Sequence, residues 1–213
     1  LPRRLQQPAR VFVTVHGISR NAKEHARRFA PYAEREGVIL VAPAFKRKLF
    51  PGYQRLKRDP SGTGPDVALD QILDEVRQLT GQPLKKLYLF GFSGGGQFVH
   101  RYLMRHPDQV ARAAIGAAGL YTFPDPQVAW PRGLKKAEAK TGPIDPAAFL
   151  KIPVTVLVGD RDVQRDQALN TSARLDRQQG ENRLERGRRW VEGMQTAALA
   201  LGHSTTYRFF TLP

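Results

Sequence analysis

The 213-residue sequence contains no cysteine. This absence excludes a disulfide framework, a metal site built from thiolates and a cysteine nucleophile, although it says little about the compartment. No apolar run approaches the roughly 20 residues that span a bilayer, and no signal peptide is recognisable. Since the chain starts at Leu1 rather than at methionine, we expect a soluble protein that is cytoplasmic, or exported after removal of a leader.

Acidic residues are scarce, because 34 lysines and arginines face only 19 aspartates and glutamates, which gives a formal net charge of +15. The basic residues concentrate in residues 1–10, 46–58 and 174–189, and the second segment has six basic residues and no acid. Such segments suit an anionic partner, namely nucleic acid, anionic lipid or an acidic substrate. We favour the alternative interpretation, which is an arginine-rich solvated surface. Since no nucleic-acid-binding signature is recognisable, we expect no nucleic-acid partner.

The apolar fraction of 41% and the charged fraction of 25% are typical of a globular protein. At this length one domain is the default, so we expect a single domain over residues 1–213. Apolar runs predict strands, which are 11–15, 38–42, 87–90, 112–118, 154–158 and 205–212. Helical spacing predicts helices that start at Asn21, at a capping Asp66, after Ser93 and at about Asn182.

Strands that alternate with helices predict an α/β protein with a mostly parallel central sheet and helices on both faces. Residues 45–65 are predicted to form a long loop, because they are polar, basic and rich in glycine and proline. Residues 119–150 hold many prolines, glycines and aromatic residues, and we interpret them as a lid-like excursion over the edge of the sheet.

A Gly-x-Ser-x-Gly motif centred on Ser93 lies between a predicted strand and a predicted helix. Such a turn strains the serine backbone and pushes its hydroxyl out of the sheet. Side chains at Gly91 and Gly95 would collide with the neighbouring strand or helix. The amide of Gly94 opens the helix and would point at an oxyanion beside Ser93. The motif and its context indicate a nucleophile elbow, and the alternative is a glycine-rich turn with an incidental serine.

Two other glycine motifs can be tested at the same place. A P-loop would need lysine and then serine or threonine where the sequence has Gln97 and Phe98. A dinucleotide-binding fingerprint would need glycine or alanine where the sequence has Val99. Both are therefore excluded, and we expect no cofactor.

Three chemically interesting positions fall at the carboxyl ends of predicted strands, namely His16-Gly17, Ser93 and the pair Asp160 and Asp162. Active residues of parallel α/β sheets gather at these ends. The order of these features resembles that of the α/β-hydrolases over nearly the whole chain. Within that superfamily the chain resembles small bacterial esterases of the polyhydroxyalkanoate-depolymerase type.

The resemblance implies a catalytic triad with Ser93 as the nucleophile and Asp162 as the acid, with Asp160 as the alternative acid. It also implies an oxyanion hole made by the amides of Gly94 and Ile18, and a structural role for His16. The Asp160–Asp162 pair is not expected to bind calcium, because the glycine and glutamate of such a loop are absent. We expect no metal.

The resemblance further implies a histidine that follows the acid, in a loop after the last strand. His203 is the only histidine after Asp162, but it precedes the predicted last strand at 205–212. We therefore expect the catalytic base to lie beyond Pro213, with an incomplete carboxyl terminus, and we keep His203 as the fallback.

The expected activity is that of a carboxylesterase-like serine hydrolase, which cleaves an ester or thioester through an acyl-enzyme on Ser93. The aromatic residues around 121–130 favour a small-molecule ester substrate with an apolar acyl part, or they simply pack in the core. Two alternatives stay open. The chain could be a catalytically incomplete binding protein of hydrolase fold, or it could bind anionic surfaces through its basic segments.

Overall fold

A computed structural model describes residues 1–59 and 61–213, so that Pro60, inside the predicted loop at 45–65, lies outside the described residues. Its six strands form one sheet in the order β2-β1-β3-β4-β5-β6, and every pairing is parallel. The strands are β1 (Val11–Val15), β2 (Ile39–Val41), β3 (Leu87–Phe92), β4 (Val110–Gly116), β5 (Val154–Gly159) and β6 (Tyr207–Leu212). The predicted parallel sheet is confirmed.

Seven α-helices occur among the described residues. They are α1 (Ala22–Glu36), α2 (Pro65–Thr80), α3 (Gly94–Arg105), α4 (Glu138–Thr141), α5 (Pro146–Phe149), α6 (Ala173–Gln179) and α7 (Arg183–Ala200). Single 3₁₀ turns cover Tyr53–Arg55 and Pro107–Gln109. No described helix is long and apolar enough to cross a bilayer.

Helices cover both faces of the sheet. Crossovers between parallel strands are right-handed, so two crossovers that move in opposite directions along the sheet place their helices on opposite faces. The connection from β1 to β2 moves in one direction, and the later connections move in the other. On one face α1 sets the ring of Phe29 5.1 Å from Phe12 and 5.3 Å from Phe90. On the opposite face α7 approaches β5 so closely that a Cβ on Gly187 would lie 3.1 Å from Val156. The first face is only partly covered, since four apolar side chains stay 38% to 49% exposed there: Tyr88, Phe92, Phe210 and Leu212.

Two local predictions were wrong. Asp66 does not cap α2, because Gly64 takes the cap position and Pro65 begins the helix. The carboxylate of Asp66 is buried instead, where its Oδ2 lies 3.2 Å from Nε2 of His106. Residues 173–179 precede the helix start predicted at about Asn182 and were expected to belong to a loop, but they form α6, whose first turn is capped by the hydroxyl of Ser172.

The segment between β4 and β5 is tied to α3. The guanidinium of Arg101 donates from Nε to Oγ1 of Thr122 over 2.9 Å, and that hydroxyl donates to the carbonyl of Pro131 over 2.7 Å. Tyr121 and Phe149 are fully buried in the hydrophobic core, which favours packing over the lining of a pocket. The lid-like role of residues 119–150 stays a prediction.

Candidate active site

The site lies at the carboxyl edge of the sheet, at the ends of three strands. Because β1 and β3 are neighbours, the loop that follows β1 borders the turn that follows β3. One strand, β4, separates β3 from β5, so the loop with Asp162 starts about 10 Å from the end of β3. Ser93 and Asp162 share no hydrogen bond, and a bridging group is needed to connect them.

Ser93 has an unusual backbone, with φ of 54° and ψ of −113°. Positive φ at a residue other than glycine costs on the order of 1–3 kcal/mol and persists where the surroundings enforce it. The amide of Ser93 donates to the carbonyl of Gly116 over 2.7 Å, and its own carbonyl accepts from the amide of Gln97 over 3.1 Å. The side chain is half-buried, and its hydroxyl makes no hydrogen bond to any residue that the structure describes.

The glycines of the turn are required by contacts between backbones. A Cβ on Gly91 would lie 2.2 Å from the carbonyl oxygen of Gly95, and a Cβ on Gly95 would lie 2.1 Å from that of Val15. No side chain fits at either place. The sequence motif therefore reports a close approach of β1, β3 and the start of α3.

Two free amides lie beside the turn. The nitrogen of Ile18 is 3.4 Å from the point that a Cβ on Gly94 would occupy, and a Cβ on Gly17 would be 3.5 Å from Cβ of Ser93. Within the described part of the chain, neither Ile18 nor Gly94 donates its amide to an acceptor. Gly94 is the first residue of α3, where an unsatisfied amide and the helix dipole both favour a bound anion.

His16 orients one of these amides. Its Nδ1 donates to the carbonyl of Gly17 over 2.8 Å, and its Nε2 accepts from the amide of Phe45 over 3.2 Å. The ring is therefore neutral, and burial lowers its pKa further below the usual value. Because the Gly17 carbonyl and the Ile18 amide share one peptide plane, the bond from Nδ1 sets the direction of the Ile18 N–H. Both ring nitrogens are occupied, so His16 cannot accept the proton of Ser93.

The candidate acid, Asp162, is bound by an arginine that the sequence analysis did not single out. Nη1 of Arg183 donates to Oδ1 of Asp162 over 3.1 Å, and Nη2 donates to Asp166 over 2.8 Å. The Asp162 side chain is 26% exposed. Asp160 differs, because its side chain is exposed and only its amide is engaged, in a 2.8 Å bond to the carbonyl of Leu212.

His203 is excluded as the base by strand direction. It precedes Tyr207, the first residue of β6, which pairs with Val154 at the start of β5. Ser93 lies past the opposite end of the parallel sheet, so the fallback of the sequence analysis was wrong.

The other three histidines are engaged elsewhere. The ring of His25 bonds the hydroxyl of Thr14, that of His100 bonds the carbonyl of Gly96, and His106 bonds Asp66. Thus no histidine that the structure describes forms a hydrogen bond with Ser93 or Asp162. A base beyond Pro213 stays a prediction.

The basic segment 46–58 approaches the Ser93 turn through Tyr53, whose hydroxyl oxygen is 2.7 Å from the point that a Cβ on Gly94 would occupy. Its buried Tyr53 donates a hydrogen bond to the carbonyl of His16 over 2.9 Å. Among the described residues, Arg58 is the only basic residue of the segment in an ion pair, 3.8 Å from Asp66. The others are exposed and form no ion pair with any residue that the structure describes: Lys46, Arg47, Lys48, Arg55 and Lys57.

No protein-family model matches the sequence, and a search of curated proteins gave no match. The structure nevertheless resembles solved structures. Poly(aspartic acid) hydrolase-1 from Sphingomonas sp. KT-1 is 28% identical, with a TM-score of 0.85 and coverage of 99% of this chain and 83% of that chain. LpqC, a poly(3-hydroxybutyrate) depolymerase from Bordetella parapertussis, is 28% identical, with a TM-score of 0.82. The match covers 100% of this chain and 75% of that chain.

A more distant neighbour is MPT51 (FbpC1) of Mycobacterium tuberculosis, which is 16% identical with a TM-score of 0.60. The match covers 96% of this chain and 80% of that chain, and it shows a shared fold alone. These comparisons confirm that the chain has the α/β-hydrolase fold. They also confirm its resemblance to α/β-hydrolase esterases, a poly(3-hydroxybutyrate) depolymerase among them. The similar neighbours support an enzyme of the hydrolase class, and the depolymerase among them supports ester hydrolysis in general.

Proposed function

We propose that the protein is a serine hydrolase that cleaves a carboxylic ester or thioester through an acyl-enzyme on Ser93. One observation carries the proposal. The accessible hydroxyl of Ser93 stands on a strained turn beside two amides, those of Ile18 and Gly94, that have no acceptor among the described residues. This arrangement supports a nucleophile elbow at Ser93 and an oxyanion hole beside it, both of which acyl transfer needs.

In the proposed reaction, Ser93 Oγ attacks the substrate carbonyl while its proton passes to a histidine. The oxyanion that forms accepts hydrogen bonds from the two amides, and loss of one such donor typically slows catalysis by about 10²–10³. The proton then goes to the leaving alcohol or thiol as the acyl–Ser93 ester forms. Water attacks this ester by the same route and releases the acid.

We propose Asp162 as the acid that orients the histidine, because Arg183 fixes one of its carboxylate oxygens and the other has no partner among the described residues. The end of β6 lies beside the same loop, since the amide of Asp160 donates to the carbonyl of Leu212. A histidine that follows β6 would therefore emerge next to Asp162, and we propose the base there.

A fluorophosphonate probe tests the nucleophile. The full-length protein should gain one adduct by intact mass, with the label on Ser93, and Ser93→Ala should lose both labelling and esterase activity. Ser204→Ala is the matched control, because Ser204 is an exposed serine just before β6, at the other end of the sheet. A full-length protein that binds esters but neither reacts with the probe nor turns over would contradict the proposal and favour a binding protein.

The acyl part of the substrate has two candidates. An apolar acyl chain was predicted from the aromatic residues of the segment at 119–150. A second candidate, an acyl chain that carries carboxylates, is favoured by segment 46–58, whose Tyr53 lies beside Gly94 and whose exposed basic residues form no ion pair with a described residue. The name of the similar poly(aspartic acid) hydrolase points to the same class of substrate.

A pair of esters of similar size separates the two candidates, namely 4-nitrophenyl butyrate and the 4-nitrophenyl monoester of succinate. If the enzyme prefers an acidic acyl chain, the succinate ester should have the higher kcat/KM at about 20 mM salt. This difference should disappear at about 500 mM salt, because salt screens exposed charges. Replacing Lys46, Arg47 and Lys48 by glutamine should remove the preference. The control, with Lys85 and Lys86 replaced, should keep it, because these exposed lysines precede β3 at the amino edge of the sheet.

A further inference from the structure

One phenol contacts both sides of the proposed oxyanion hole. The hydroxyl of Tyr53 donates to the carbonyl of His16 over 2.9 Å. The same oxygen is 2.7 Å from the point that a Cβ on Gly94 would occupy, and the nitrogen of Ile18 is 3.4 Å from that point. We infer that Tyr53 is a positioning residue, which holds the Ile18 and Gly94 amides in the geometry that binds the oxyanion. The inference rests on the proposed function.

The Ile18 side of the hole is fixed by two successive peptide planes. The first plane, between His16 and Gly17, is held because its carbonyl accepts a hydrogen bond from the hydroxyl of Tyr53. The second plane, between Gly17 and Ile18, is held because its carbonyl accepts from His16 Nδ1 over 2.8 Å and from the amide of Arg20 over 3.1 Å. Without the phenol, the first plane is free to rotate about Gly17, and the Ile18 N–H loses part of its alignment.

The Gly94 side is fixed by packing. With the phenol oxygen so close, position 94 has no room for a side chain, and the backbone of Gly94 rests directly against Tyr53. The carbonyl of His16 also faces the helix start, because it is 2.7 Å from where a Cβ on Gly95 would be. Tyr53 therefore fills the corner between the loop after β1 and the first turn of α3.

Tyr53 is itself rigid and is not an acid or a base. Its side chain is only 1% exposed. Its ring stacks on Phe45 at 5.4 Å, and the guanidinium of Arg20 lies over the ring at 5.0 Å. Burial raises the pKa of its hydroxyl well above the usual value, so the phenol stays protonated and donates at any pH at which the enzyme would be assayed.

Tyr53→Phe tests the inference, because it removes one oxygen and keeps the ring. In the full-length enzyme kcat should fall about tenfold, less than for direct loss of an oxyanion donor, while KM stays within about twofold. A boronic acid, which forms a tetrahedral anion on the nucleophile, should bind about tenfold more weakly. Tyr207→Phe is the control, because this buried hydroxyl also donates to a carbonyl, that of Phe149 at 3.1 Å, far from the site.

Three results have distinct meanings. If Tyr53→Phe loses thermal stability as Tyr207→Phe does but keeps kcat and boronate affinity, the hydroxyl is structural only and the inference fails. It also fails if KM rises at constant kcat, because Tyr53 would then contact the substrate itself. If the wild-type protein neither hydrolyses esters nor reacts with a fluorophosphonate, the proposed function fails instead.

Discussion

Nη1 of Arg183 donates to Oδ1 of Asp162 over 3.1 Å, and it leaves Oδ2 of Asp162 without a hydrogen-bond partner among the described residues. The same guanidinium binds Asp166 through two bonds of 2.8 Å and 2.9 Å. Since Arg183 is the first residue of α7, the loop that follows β5 is attached to a helix that packs on the sheet. The proposed acid is thereby fixed, and one carboxylate oxygen stays available to orient an imidazole.

Replacing Arg183 should change the pH profile of ester hydrolysis. A positive charge beside Asp162 disfavours a protonated histidine nearby, so Arg183→Gln should raise the pKa of the base and move the acid limb of kcat/KM up by roughly half a pH unit. Arg183→Lys keeps the charge and should largely keep the limb. Arg189→Gln, on the exposed side of α7, is the control. An unmoved acid limb in Arg183→Gln would contradict an electrostatic role.

Neutralising the two candidate acids should have very different effects. Asp162→Asn should lower kcat by about 10⁴, the cost of losing the group that sets the histidine tautomer in a triad. Asp160→Asn should change kcat by less than about twofold, because its exposed side chain accepts no hydrogen bond among the described residues. Steady-state rates on one short ester decide between them, and the reverse ranking would assign the acid to Asp160.

The glycine contacts of the turn predict stability as well as activity. In Gly95→Ala the new methyl would overlap the carbonyl of Val15 at 2.1 Å, and since both partners are backbone the strain cannot relax through a rotamer. We expect a loss of about 3 kcal/mol in urea unfolding. Gly119→Ala is the matched control, because its methyl would only touch Cδ1 of Leu169 at 3.4 Å. Equal stabilities would disprove the close approach.

Three buried histidines should make the protein less stable in mild acid. Burial lowers the pKa of His16, His25 and His100 below the ordinary value. The unfolded chain therefore binds more protons than the folded one below about pH 6.5, and the free energy of unfolding falls as pH decreases from there toward the lowered pKa values.

Each such histidine contributes a slope of up to about 1.4 kcal/mol per pH unit. Urea unfolding between about pH 7.5 and pH 5 measures the total slope. His100→Gln should reduce the slope, because glutamine supplies both a donor and an acceptor but binds no proton. A flat stability across this range would mean that the histidines are accessible to solvent and protonate freely.

The sequence predicted what depends on local pattern. All six strands and the turn at Ser93 were found, because apolar runs and glycine spacing record constraints between residues close in sequence. The capping role of Asp66 was wrong because its carboxylate is drawn to His106, 40 residues away. A local capping pattern in the sequence contains no information about a contact with a residue so far away.

The supporting residues of the site were missed for a similar reason. Arg183 belongs to a stretch of mixed charge that is typical of a solvated helix face, yet it is 7% exposed because the loop that follows β5 folds over it. Tyr53 lies in a basic, glycine-containing loop without periodicity, and its partner His16 is 37 residues away. Both roles arise only when distant segments meet at the sheet edge.

The contact between Gly95 and Val15 also limits motion. Because backbone meets backbone there with no side chain between them, α3 cannot slide along β1 without a steric clash. We therefore expect Ser93, the proposed nucleophile, to keep its position relative to β1. On this expectation, a rearrangement that admits a substrate or releases an acid would occur in the loops around Ser93, so that substitutions in those loops can change the turnover rate without moving Ser93.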